Sequence, residues 1–311
     1  MSAGLVLKSF PIRDYDLAAT LSSGQAFCWR SLDNKWVGVI GHHWVRLDSD
    51  DTSIRAETVA PVSDWNWLQQ YLQLETNISS VITQFPEDEP MRTATAACRG
   101  LRLLRQDPWE CLASFICSST KQIVQIQQIV GLLCERFGEA VITPLGVPVA
   151  HSFPPAVVLA EAKETDLRAC KMGFRAPYLL KTAQQIARGE LDLASLNGLP
   201  VEFARERLMM MPGVGRKIAD CVLLFGYGMQ SAFPVDIWVM KALRELYFPR
   251  RKVKLPRLLR FSAEYFGPYG GYAQQYLFHY MRTKRQRTEV GRQGTQLRGP
   301  RARTGVRGGG T

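Results

Sequence analysis

The stretch Arg205–Gly226, RERLMMMPGVGRKIADCVLLFG, decides how this chain folds. A helical run ends at the methionines, Pro212 stops it, and Gly213 and Gly215 bracket Val214 in a tight hairpin. A second apolar-periodic helix starts at Arg216. Glycines in such a turn let successive backbone N–H groups point outward beside a helix N-terminus. That geometry suits a phosphate oxygen and reads no particular base. A plain turn between two antiparallel helices has the same Pro-Gly signature, so the hairpin alone leaves both readings open.

Two residues near it narrow the choice. Lys217 lies just inside the second helix, and Asp236 follows in SAFPVDIWVMKAL (231–243), where Pro234 and Asp236 mark another helix start with Asp236 as its cap. Taken singly, a lysine is usually solvated and a capping aspartate usually serves stability. Jointly with the hairpin, those ordinary readings become much less attractive.

Working outward, residues 26–57 alternate in the manner of strands, as AFCWR, WVGVI, HHWVRL and SIRAET, broken at Asp33-Asn34, Gly41 and Ser49-Asp50-Asp51. From about Asp64 the period becomes helical. Asp107-Pro108-Trp109-Glu110 is a helix start, with an aspartate cap, proline in the first turn and glutamate three residues after the cap. Further helical stretches are expected at 109–118, 122–137, 175–188, 201–210, 216–227, 237–247 and 271–281. No repeat of 20–50 residues is visible. The expected fold is α+β, an N-terminal antiparallel sheet domain (1–104) packed on a mostly helical domain (105–282). A basic Gly/Arg-rich tail (283–311) is expected to be disordered.

Bulk properties limit the function classes. Hydrophobic residues make up 46% and charged residues 22% of the 311, which fits a globular chain with a real core. No apolar run reaches the roughly 18 residues of a membrane span, and the N-terminus meets charges too early for a secretory core. An intracellular setting is expected, with cytoplasm, nucleoid and nucleus left open. Seven cysteines form no CxxC pair and none follows Cys221, which argues for reduced thiols and against an iron–sulfur cluster. Most of the net charge of +11 falls after residue 281, where nine Lys/Arg face the single Glu289. A mildly basic body with a very basic end suits DNA binding, although a solvated tail has the same composition.

The order LxxMPGVGxKxADCVLLF…PVD resembles the hairpin and catalytic segment of the helix-hairpin-helix glycosylases, and within them the 8-oxoguanine DNA glycosylase/AP lyases. Four other segments match in order: SSGQAFCWR (22–30), QDPWECLASFICSS (106–119), MGFRAPYL (172–179) and YAQQYLF (272–278). The resemblance covers about residues 1–282. It implies base excision repair of double-stranded DNA containing oxidised guanine, by a monomer with no cofactor and no metal, though a cation could bridge the hairpin to phosphate.

The resemblance makes Lys217 the nucleophile and Asp236 the essential carboxylate. It places Phe278 on the face of the flipped base, Gln274 at its pairing edge, and Cys221 and Pro234 on the pocket wall. It makes the Gly24 carbonyl the acceptor for the N7–H that oxidised guanine has and guanine lacks. Gly213, Val214 and Gly215 would hold the backbone. Thr120, Gln125, Phe174, Arg175 and Trp238 fall where the family contacts DNA around the lesion. Here the chain departs from the family: Thr120-Lys121-Gln122 follows ICSS instead of asparagine, Gln125 replaces an arginine, Phe174 a tyrosine and Trp238 a histidine. The resemblance therefore carries over no preference for the opposite base. Two alternatives are a related glycosylase for another damaged base and a non-catalytic DNA-binding module. Lys217 argues against the monofunctional relatives, which keep only the aspartate.

Overall fold

The computed structural model describes residues 4–296, with side chains over 4–285. Five antiparallel strands form the N-terminal sheet: β1 (Leu5–Pro11), β2 (Arg30–Leu32), β3 (Lys35–Ile40), β4 (His43–Ser49) and β5 (Ser53–Val59), in the order β1-β5-β4-β3-β2. Tight turns set its register. Asp33 and Asn34 both take positive φ, +48° and +61°, so Leu32 pairs with Lys35. Such a two-residue loop matches the natural strand twist, and Asp and Asn tolerate it. The Asp50 carboxylate accepts from the backbone N–H groups of Thr52 and Ser53, both at 2.9 Å, and closes the next turn.

One face of the sheet buries Val45, Leu47, Ile54 and Ala56 with Trp29, Leu68 and Leu72. Trp29 lies over Gly38, where a Cβ would come within 2.9 Å of the indole, and its Nε1 donates to the Tyr71 hydroxyl at 2.9 Å. A larger core joins the helices. Its main elements are Pro108–Cys117, Ile123–Phe137, Ala176–Ala187, Val201–Met209, Arg216–Phe225, Ile237–Leu246, Leu255–Tyr265 and Gly270–Gln296.

Polar side chains without solvent lock the two parts together. Gln25 is fully buried; its Nε2 donates to Thr20 O at 2.9 Å and Arg102 O at 2.8 Å, and its Oε1 accepts from Leu104 N–H at 2.7 Å. Every strong hydrogen-bonding atom of that amide is thereby used, as burial requires.

The α+β architecture agrees with the sequence reading, with three differences. β1 lies outside the expected sheet range: at the edge it buries only Phe10, so its sequence shows little alternation. AFCWR contributes only Arg30 to a strand, because Gln25, Phe27 and Trp29 are instead buried in the junction and the two cores. The last helix continues past the expected boundary at 282 to Gln296. Straight-chain Lys, Arg and Gln favour helix without an apolar stripe to announce it. The remaining expected tail, 297–311, lies outside the described residues.

Inside the helical part, Arg205 and Asp220 join the two helices of the hairpin. Arg205 Nε donates to Asp220 Oδ1 at 2.6 Å, and the carboxylate is 1% exposed. Burial pushes the Asp220 carboxyl up, and Arg205 pulls it back. We expect Arg205→Leu to lower stability by about 3 kcal/mol, because it strands a buried charge. Replacing both partners with apolar residues should restore most of that loss. Thermal unfolding of the single and double variants checks both.

Candidate active site

The hairpin is held from below. Thr182 Oγ1 donates to Pro212 O at 3.1 Å, and Val214 is buried between exposed Gly213 and Gly215. Gly213 has φ +76°, and a Cβ there would sit 2.8 Å from Tyr178 Cβ. No other residue fits that turn without strain. Gly215 caps the Arg216–Phe225 helix without a side chain, leaving its outward edge open.

Lys217 is the second residue of that helix and is half-buried. Its Nζ donates to Ser118 Oγ at 3.1 Å and lies 5.0 Å from the centroid of the Phe115 ring. The Ser118 hydroxyl spends its own proton on Phe115 O at 2.7 Å, which leaves a lone pair for the amine. Phe115 stacks on Phe225, so the surface under the amine is rigid.

Asp236 begins the Ile237–Leu246 helix. Its Oδ1 accepts from Trp238 N–H at 2.9 Å and Val239 N–H at 2.8 Å. Burial pushes its carboxyl up, while the Val239 hydrogen bond and the Lys217 charge pull it down. Burial likewise pushes the Cys221 thiol up to about 12, with Lys217 pulling the other way and Asp236 adding to the rise. The three groups thus lie within one electrostatic neighbourhood, Cys221 being one turn below Lys217.

A second group gathers around Gly24, which has φ +77°. A Cβ there would meet Ile123 Cδ1 at 2.5 Å and Phe278 Cε1 at 3.6 Å. Phe278 is half-buried and Gln274, one turn earlier, is 4% exposed. The Gln274 Oε1 is buried with no hydrogen-bond partner among the described residues. An amide oxygen in that state suits a ligand that brings its own donor. One loop links the two groups, since Ser118 bonds Lys217 and Ile123 faces Gly24. The Ile237–Leu246 helix also packs against the Gly270–Gln296 helix that carries Gln274 and Phe278. Pro234 is buried in the approach to Asp236.

The remaining sequence candidates are placed differently from one another. Phe174 is 55% exposed, with the Arg175 guanidinium 4.3 Å from its ring. Arg175 itself is buried, donating to Ser119 O, to Thr120 Oγ1 at 2.6 Å and to Met172 O at 3.1 Å. It braces the 118–120 turn from inside, and Thr120, exposed at φ +56°, sits on top of it. Gln125 is exposed and accepts from Gln122 N–H at 3.1 Å, closing a capping box. Trp238 is half-buried with the Arg285 guanidinium 5.5 Å from its ring. Sequence reasoning missed Ser118 as a partner of the lysine, though it stands in the quoted ICSS.

Among the described residues no group of three or more His, Cys, Asp or Glu could hold a metal ion, and no helix is long and apolar enough to cross a membrane.

Known proteins resemble this chain over most of its length. Residues 9–112 match the 8-oxoguanine DNA glycosylase N-terminal domain, and 113–266 match the HhH-GPD superfamily of base excision DNA repair proteins. A probable N-glycosylase/DNA lyase of Methanothermobacter thermautotrophicus is 30% identical over 301 residues, spanning 88% of this chain and 95% of its own. The N-glycosylase/DNA lyase of Arabidopsis thaliana is 31% identical over 87% of this chain and 80% of its own. A Clostridium acetobutylicum 8-oxoguanine glycosylase/lyase, solved with double-stranded DNA containing cytosine opposite 8-oxoguanine, superposes with a TM-score of 0.83. It shares 30% identity over 92% of this chain and 100% of that one. With both family models matching in order along the chain and a relative 30% identical over 88% of it, the chain belongs to the 8-oxoguanine DNA glycosylase family of the HhH-GPD superfamily.

Proposed function

We propose that this protein removes oxidised guanine from double-stranded DNA and then cuts the strand, using Lys217 for both steps. The observation that carries this reading is an amine held against Ser118 in the same half-buried neighbourhood as the Asp236 carboxylate. A base inside a duplex is out of reach, so the nucleotide must be turned out into a pocket. The Gly213–Gly215 hairpin would grip the backbone through N–H groups and the helix N-terminus.

The uncharged Lys217 amine attacks the sugar C1′, and the bond from C1′ to the base breaks with its electron pair leaving on the base. The departing base takes up a proton, and the new C1′ ammonium loses one. Opening of the sugar then gives a Schiff base, and loss of a C2′ proton expels the 3′ phosphate by β-elimination. Positive charge builds on the sugar as the base leaves. The ionised Asp236 stabilises that charge in a site poor in water, where such stabilisation is strong. Gln274 would bind the pairing edge of the base, Phe278 would stack on its face, and the Gly24 carbonyl would accept its N7–H.

DNA as the substrate and seven free thiols support an intracellular setting. Arg175, folded under the 118–120 turn, would shape the surface beneath the opposite strand, and exposed Phe174 would wedge into the gap left by the flipped nucleotide.

Borohydride trapping on an 8-oxoguanine duplex should give a covalent complex with the native chain and none with Lys217→Gln. Trapping that persists in the variant would remove Lys217 as the nucleophile. The excision rate has a further signature in pH. Burial raises the Asp236 carboxyl, so it protonates before an ordinary carboxylate as pH falls. The acid limb of single-turnover excision should therefore lie above about pH 4, the ordinary aspartate value. Asp236→Asn should remove that limb and slow excision roughly a hundredfold or more.

A further inference from the structure

The backbone from Ser22 to Gln25 is gripped carbonyl by carbonyl. Ser22 O accepts from Arg282 Nη1 at 2.9 Å, Ser23 O from Gln275 Nε2 at 3.1 Å, and Gln25 O from Gln106 Nε2 at 2.7 Å. Only the Gly24 carbonyl of these four has no hydrogen-bond partner among the described residues. Gly24 is half-buried, so its unpaired carbonyl, set between three paired neighbours, is left open to a ligand's donor.

The grips come from the helix that also carries the base-facing residues. Gln275 and Arg282 are seven apart and share a helix face, offset from the face of Gln274 and Phe278. Gln275 is 2% exposed. Successive glutamines therefore divide the work: the Gln274 amide oxygen is left without a partner, while Gln275 ties down the chain beside Gly24. On the far side, Gln25 is held by its side chain at Thr20, Arg102 and Leu104. Glycine at 24 would otherwise let its peptide planes turn easily.

We propose that Gln275 and Arg282 are positioning residues that fix the direction of the Gly24 carbonyl, and that discrimination of oxidised guanine from guanine depends on them. The inference rests on the function proposed above. Oxidised guanine presents N7–H to this carbonyl, whereas guanine presents a lone pair that repels it. Discrimination needs the carbonyl to stay aimed when the wrong base arrives. A peptide free to rotate would relieve the repulsion with guanine and weaken the bond to oxidised guanine.

Single-turnover cleavage tests this on three duplexes: one with 8-oxoguanine, one with guanine at the same position, and one with a preformed abasic site. The chains compared are native, Gln275→Leu, Arg282→Met and Arg282→Lys. Gln275→Leu and Arg282→Met should each slow 8-oxoguanine excision about tenfold or more through the unpaired carbonyl they leave. Abasic cleavage, which uses Lys217 but no base contact, should stay within about twofold of native. Arg282→Lys keeps a donor for Ser22 O and should behave as native. Unchanged excision in both apolar variants, or an equal fall on the lesion and abasic duplexes, overturns the positioning role. A native chain that cuts abasic DNA but leaves 8-oxoguanine intact overturns the functional reading, and this inference with it.

Discussion

An aspartate partly withdrawn from water must be repaid in hydrogen bonds and opposite charge, or it takes up a proton more readily. At Asp236 the compensation comes from two backbone N–H groups at a helix start and from the charge of Lys217. The rest of the site follows from that requirement. The carboxylate must stand at a helix N-terminus, the lysine must approach it from a second helix, and both helices must be held rigidly enough to keep the pair together. Phe115 and Phe225 supply part of that rigidity beneath the amine, and the buried Arg205–Asp220 pair fixes the hairpin helices behind it.

The hairpin serves two ends with one piece of backbone. Glycine is needed at 213 because the chain turns under Tyr178 with a positive φ, and Gly213 and Gly215 stay exposed there while the Val214 N–H is tied back to Met211 O. Because the helix that starts there carries Lys217 on its first turn, the placement of the turn also sets the placement of the amine.

Much of this was legible in sequence where a residue has little freedom to be anything else. Gly213, Lys217 and Asp236 could be read because each answers a local demand: a turn, a helix start, a cap. The antiparallel sheet was readable from β3 to β5, where alternation and turn residues agree, but not at β1, an edge strand burying one phenylalanine. The final helix was under-read because its charged stretch carries no apolar period in the sequence. Side chains acting across the fold were hidden for a different reason. Ser118 meets Lys217 across 99 positions, and Arg175 turns inward to brace Ser119 and Thr120, neither of which any local pattern encodes. Glutamine at 125 could be seen in the sequence, but not that it would cap its own helix.

Gly24 lies on the segment between β1 and β2, in the sheet half of the molecule. Lys217 and Asp236 belong to the helical half, whereas the backbone facing Phe278 arrives from the sheet half across a junction sealed by buried glutamines. The wall that Gly24 and Phe278 form together therefore exists only while the two halves stay docked, so a change that loosens the junction would open it without touching Lys217 or Asp236.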